Sequence, residues 1–89
     1  MVQVHFTGNL RRHVDCPSMK VGGGTLIEVL NGVFDALPQA RGYVVDEHGA
    51  LRRHMNIFIN SERVADRASL TDTVPDGSDV YIMQALSGG

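Results

Sequence analysis

The chain has 89 residues, 43% of them apolar and 20% charged, which suits one small domain. A domain of this size buries only about 60–65% of the surface its unfolded chain exposes, so a deep internal active site has little room. Eight Lys and Arg against ten Asp and Glu give a net charge of −2, which argues against nucleic-acid binding by bulk charge.

Residues 1–7 alternate, with Val2, Val4 and Phe6 on one face and Gln3, His5 and Thr7 on the other. That period of two predicts a half-buried strand. Gly8-Asn9 is a turn signal, and Arg12 to Cys16 alternates again with Val14 and Cys16 inward, so a hairpin is expected that stops at Pro17-Ser18. Lys20 to Gly24 reads as a glycine-rich connection. Thr25-Leu26-Ile27-Glu28 is a capping box. Leu26, Val29, Leu30, Val33, Phe34 and Leu37 follow as one apolar helical stripe, and Pro38 ends it. A helix over about residues 25–37 is predicted.

Gly42 to Val45 suits either a short strand or an extended loop, and Asp46-Glu47-His48-Gly49 has turn chemistry. Met55 to Ile59 alternates as a strand, with Asn56 and Phe58 opposite Met55, Ile57 and Ile59. A turn at Asn60-Ser61-Glu62 leads to a short strand near Arg63–Val64, and Leu70 is expected to plug the core from an irregular segment. Pro75-Asp76-Gly77 is a turn. Asp79 to Gln84 is the last strand, with Val80 and Ile82 on one face and Tyr81 and Met83 on the other. This order predicts an α+β roll with the first and last strands adjacent in mid-sheet.

Catalytic and ligand patterns are weak. Gly22-Gly23-Gly24 precedes a helix but lacks the Lys-Ser or Lys-Thr of a phosphate loop. His5, His13, His48 and His54 have no zinc-ligand spacing; His5 and His13 read as a solvated pair across the first hairpin. Cys16 is the only cysteine, so no intramolecular disulfide can form, and a small buried core residue is its default role. A reducing, cytoplasmic compartment is expected. No apolar run reaches a membrane span, and residues 1–6 lack a signal-peptide pattern.

The carboxyl end is different. Gly88-Gly89 follows the last strand by only a few residues. A frayed end is the plain reading. A tail without Cβ atoms can also enter a narrow channel and present its carboxylate. That carboxylate is ionised at neutral pH and is a poor electrophile until it gains a leaving group such as an acyl-adenylate. Phe58, Tyr81 and Met83 all lie opposite the core-facing residues of their strands and form a candidate partner surface at the root of the tail.

The initial hairpin, the helix Thr25–Leu37, the strand Asn56–Asn60, the run Pro75–Ile82 and the ending Gln84-Ala85-Leu86-Ser87-Gly88-Gly89 together resemble the ubiquitin-like β-grasp sulfur carriers. These are the MoaD/ThiS type: the small subunit of molybdopterin synthase, the thiamine-pathway carrier and their relatives. The resemblance implies a β-grasp roll, with a mixed four- to five-stranded sheet on one main helix over residues 1–84 and a flexible tail at residues 85–89. It implies that a ubiquitin-activating-like enzyme adenylates Gly89 with ATP, that a persulfide donor converts it to a thiocarboxylate, and that a sulfur-accepting synthase takes the sulfur. Gly88 and Gly89 match the reactive end; Met83 and Leu86 match apolar partner positions. No stably bound cofactor, metal, nucleic acid or membrane is expected, and the chain is read as a carrier or co-substrate, or a small synthase subunit, rather than an enzyme. The residue 38–53 segment makes it longer than the thiamine-type carrier and closer to the molybdopterin-synthase small subunits and the carriers of cysteine biosynthesis. Two alternatives stand beside the carrier: a modifier conjugated to lysine through Gly89, and a β-grasp binding module without chemistry.

Overall fold

The structure is a computed structural model that describes residues 1–7 and 18–84. Strand β1 spans Val2–Thr7, and its alternation appears as burial of Val2, Val4 and Phe6. Strand β2 spans Ser18–Val21 and runs antiparallel to β1, with Val2 opposite Val21 and His5 opposite Ser18. This corrects the expected stop at Pro17-Ser18. Proline restricts the residue before it, not those after it, and the alternation resumes, burying Val21 while leaving Lys20 exposed. The predicted Gly8-Asn9 turn, the Arg12–Cys16 strand, Cys16 and His13 lie outside the described residues.

Gly24–Thr25 forms β3, and helix α1 follows at Leu26–Ala36, capped by Thr25 and Leu37. The Glu28 backbone N–H donates to the Thr25 hydroxyl at 3.4 Å, and the Thr25 N–H donates to Glu28 Oε1 at 3.1 Å. The next two orphan amides are taken by chain backbone. Leu26 N–H donates to the Asp72 carbonyl and Ile27 N–H to the Leu70 carbonyl, both at 2.8 Å. The amides at this helix start are therefore satisfied internally, which agrees with reading the glycines as a turn. Gly24 has φ +133°, and a Cβ there would lie 2.8 Å from Glu28 Oε1, so only glycine fits beside the cap. A Thr25→Ala variant is expected to lose about 1 kcal/mol in urea unfolding while keeping the fold.

Leu26, Val29, Leu30, Val33 and Phe34 are buried along one face of α1 against the inner face of the sheet. After a 3-10 turn at Pro38–Ala40, the segment left open in sequence forms a helical turn, α2, at Arg41–Val44. Ala40 and Val44 are both buried, and the Val45 N–H donates to the Arg41 carbonyl at 3.0 Å, the i to i−4 bond of a helical turn. Val45 then bridges Leu51 across the Asp46–Gly49 turn. Asp46 Oδ1 accepts from the backbone N–H of His48 at 2.8 Å and of Ala50 at 3.1 Å. Val44, Val45 and Leu51 all join the core, so the apolar side chains of this segment serve the interior.

Strand β4 is Met55–Ile59 and β5 is Glu62–Arg63; β6, at Thr73–Val74, pairs with β3 as a small second sheet that the sequence reading did not foresee. Strand β7 is Asp79–Gln84, parallel to β1 and antiparallel to β4. The five-stranded order is β2-β1-β7-β4-β5, so the first and last strands do meet in mid-sheet. Leu70 is fully buried with φ +56°, and plugs the core as expected.

Asp66 and Asp72 hold the irregular loop that carries Leu70. Asp66 accepts from the Thr71 hydroxyl and from the Ser69 and Thr71 N–H groups. Asp72 accepts from the Ala65 and Asp66 N–H groups at 2.9 and 2.8 Å. The Thr71 hydroxyl, then the Ser69 amide, hold the Asp66 carboxyl below its usual range. A carboxylate with a folded-state pKa below its unfolded one stabilises the fold above the unfolded value, about pH 4. That contribution is lost as pH falls through the folded value. An Asp66→Asn variant is therefore expected to melt with a flatter acid dependence below about pH 4 than the parent chain; parallel acid limbs would contradict this.

Candidate docking face and tail root

Three strands position the candidate partner residues. In β7, Tyr81 and Met83 alternate with buried Val80 and Ile82, so they point away from α1. Phe58 of β4 sits directly opposite Tyr81, and Asn56 sits opposite Met83. On the other side of β7, His5 pairs with Tyr81 and Thr7 with Met83. With Ser18 opposite His5 and Arg63 opposite Phe58, one row crosses all five strands: Ser18, His5, Tyr81, Phe58, Arg63. The structure thus brings Phe58, Tyr81 and Met83 together on the outer face. They are half-buried rather than bare, because row neighbours cover one another.

His5 is the member that sequence reasoning missed. Its ring stacks on Tyr81 with centroids 4.8 Å apart and planes 16° from parallel. Its Nε2 lies 3.0 Å from Asp79 Oδ1. Asp79 is tied in turn to Asn60, whose Oδ1 accepts from the Asp79 N–H at 3.0 Å. The cross-strand partner of His5 is Ser18, not His13. Strand parity placed His5 on this face; its contact with Tyr81 depends on the register of a parallel pair 76 residues apart in sequence.

The tail leaves from the end of β7, where Gln84 is opposite Met55. Leu86, Gly88 and Gly89 lie outside the described residues. Arg67 reaches this corner from the irregular loop. Its guanidinium donates to the carbonyls of Arg52 and Met55, each at 2.8 Å, and to Asn56 Oδ1 at 3.2 Å. Among the described residues no three His, Cys, Asp or Glu side chains are grouped to hold a metal ion. No helix there is long and apolar enough to cross a membrane.

A mixed sheet with a central parallel pair of terminal strands, wrapped on one helix, is the ubiquitin-like β-grasp fold. The chain is similar over its whole length to CysO of Amycolatopsis orientalis, solved in a complex with BexX, at 28% identity and a TM-score of 0.84 with all of both chains covered. It is similar to CysO of Mycobacterium tuberculosis at 28% identity and a TM-score of 0.82, covering 97% of this chain and 100% of that one. It shares its fold with the small archaeal modifier protein 1 of Methanosarcina acetivorans at 24% identity and a TM-score of 0.82, with 99% and 95% of the two chains covered. No family model and no curated protein matches the chain. These neighbours are ubiquitin-like β-grasp sulfur carriers and modifiers, and the likeness of the chain to them is consistent with the MoaD/ThiS type.

Proposed function

We propose that this protein is a sulfur carrier whose own carboxyl end is the reacting group. The observation that carries the reading is that Gly88-Gly89 follows, in sequence, only a few residues after β7, the strand at the centre of a β-grasp sheet. The likeness to CysO supports it. In this reading a carboxylate oxygen of Gly89 attacks the α-phosphate of ATP in a ubiquitin-activating-like enzyme and pyrophosphate leaves. The outer sulfur of a persulfide donor then attacks the acyl carbonyl and AMP leaves, giving an acyl disulfide. A second thiol of the donor attacks the donor's sulfur in that bond, is itself left in a disulfide, and releases the thiocarboxylate, which gives its sulfur to a biosynthetic synthase. Gly88 and Gly89 thread the partners' channels. Phe58, Tyr81, Met83 and Leu86 are the docking surface, and residues 1–84 are the body that presents the tail at residues 85–89. The chain binds no cofactor of its own; ATP belongs to its partner.

Cys16 makes the reading easy to test, because it is the only cysteine. A Cys16→Ser variant purified from the native host has no thiol, so alkylation by iodoacetamide is expected at Gly89 alone. No alkylation at Gly89 from sulfur-replete cells would contradict the carrier. The second reading is a modifier joined to lysine through Gly89, and the fold shared with a small archaeal modifier protein favours it. Branched Gly-Gly remnants on other proteins would be its signature.

The docking face has its own expected result. Phe58→Ala or Met83→Ala should weaken binding to the adenylating enzyme by about tenfold or more, as a central apolar contact does. The half-buried setting of both side chains should keep the melting temperature within a few degrees of the parent, by about 1 kcal/mol of stability at most. Large unfolding with unchanged binding would contradict the assignment.

A further inference from the structure

The net charge of −2 conceals an uneven distribution. Ion pairs among the described residues join Met1 to Asp76, His5 to Asp79 and Glu47 to His48, and none uses an arginine. The carboxylates of Asp46, Asp66 and Asp72 are instead committed to backbone N–H groups of their own loops. The His48 N–H lowers the Asp46 carboxyl, and Arg52 lies near enough to help, though it forms no ion pair with it. The other arginine charge is left facing outward, and part of it gathers at one corner. Arg52 and Arg53 lie just ahead of Met55, the residue opposite Gln84 at the root of the tail. Arg52 is fixed by its Nε–H, which donates to the Gly42 carbonyl at 2.8 Å, and Arg53 is exposed. The Arg67 guanidinium bridges the same corner through carbonyls and forms no ion pair with a carboxylate among the described residues. Asp76 and Asp79 lie at the opposite end of β7.

We infer that Arg52, Arg53 and Arg67 form a cationic ledge at the root of the tail, and that this ledge docks on an acidic rim of the protein that receives the tail. The inference rests on the carrier reading for the identity of that protein and names the chemistry of its rim. A ledge beside the tail orients the chain before threading: like-charged surfaces are rejected, and the acidic far end of β7 is turned away. A protein rim fits better than a nucleic acid. Three arginines neutralise few phosphates, and Asp79 at the far end of β7 with Asp76 just before it would repel a longer polyanion.

The test uses the full chain, labelled for NMR, and a peptide of ten glutamates as the probe at low salt. Amide shifts are expected to concentrate at residues 52–56, 67, 83 and 84. They should shrink as salt rises past about 0.15 M, where the Debye length is about 8 Å. Arg53→Glu is expected to weaken binding about threefold or more. Lys20→Glu makes the same charge change on the far sheet edge and should leave binding nearly unchanged. Equal weakening by both variants, or shifts spread evenly around the molecule, would overturn the ledge. So would tighter binding of a single-stranded DNA decamer at the same amides. The chain lacking Gly88 and Gly89 separates this inference from the carrier reading. It should focus the peptide at the same amides while failing to be adenylated. Scattered shifts on the full chain, with that chain adenylated and the truncated one not, would remove the ledge and leave the carrier standing.

Discussion

A chain lacking Gly88 and Gly89 is expected to support no ATP–pyrophosphate exchange above background with its adenylating enzyme. The reason is chemical. In the carrier reading the reacting group is the Gly89 carboxylate, and truncation moves the carboxylate back to Ser87, two residues short of the bound nucleotide. Two extended residues span about 7 Å, far more than the roughly 1 Å misplacement that already costs about a hundredfold in a positioned reaction. Gly89→Ala keeps the carboxylate in place but puts a methyl beside the attacked carbonyl, so a partial loss of exchange is expected. Both variants should melt like the parent, because glycine has no side chain to bury and the core of the described residues runs from Val2 to Ile82. Exchange at the parent rate by the truncated chain would remove Gly89 as the reacting residue.

Leu70→Ala carries the largest expected loss of stability, about 2–5 kcal/mol from the emptied core site. For a domain of this length the whole folding free energy is only about 4–13 kcal/mol, so the variant is expected to be extensively unfolded in moderate urea. Leu70 is fully buried and holds φ +56°, a conformation that favours glycine. Its carbonyl also accepts the Ile27 N–H at the start of α1. The side chain fills the core while the backbone closes the helix end, and the Asp66 and Asp72 carboxylates hold the loop in that shape. Leu70→Gly relieves the backbone but leaves the same cavity, so it should also be strongly destabilised. A glycine variant as stable as the parent would show that backbone strain, not packing, dominates at this site. The measurement is urea unfolding of the three chains side by side.

The elements that were legible in sequence are those whose signal is local. Thr25 and Glu28 are three residues apart and cap α1 as read, and the apolar stripe from Leu26 to Phe34 is the buried face. Alternation in Val2–Thr7, Met55–Ile59 and Asp79–Gln84 gave the right faces, and with them the clustering of Phe58, Tyr81 and Met83. What was missed depends on partners distant in the chain. Strand β2 was hidden behind Pro17 because Met19 and Val21 make only one short alternation. Thr73–Val74 is a strand only because Gly24–Thr25 lies beside it. Residues 41–45 carried no decisive period, and the helical turn there is closed by the Val45 N–H on the Arg41 carbonyl. His5 on Tyr81 and Arg67 at the tail root are tertiary contacts with no local signal. The proposed reacting tail was read from composition and position alone, and its residues lie outside those the structure describes.

Intact-mass and C-terminal peptide spectrometry on the protein isolated from its native host bears most directly on the carrier reading. The expected result is a fraction of chains in which one oxygen of the Gly89 carboxyl is replaced by sulfur, rising when the sulfur-accepting synthase is deleted. Chains carrying only an ordinary carboxylate in that deletion strain, with branched Gly-Gly remnants on lysines of other proteins, would contradict the carrier and make the chain a modifier.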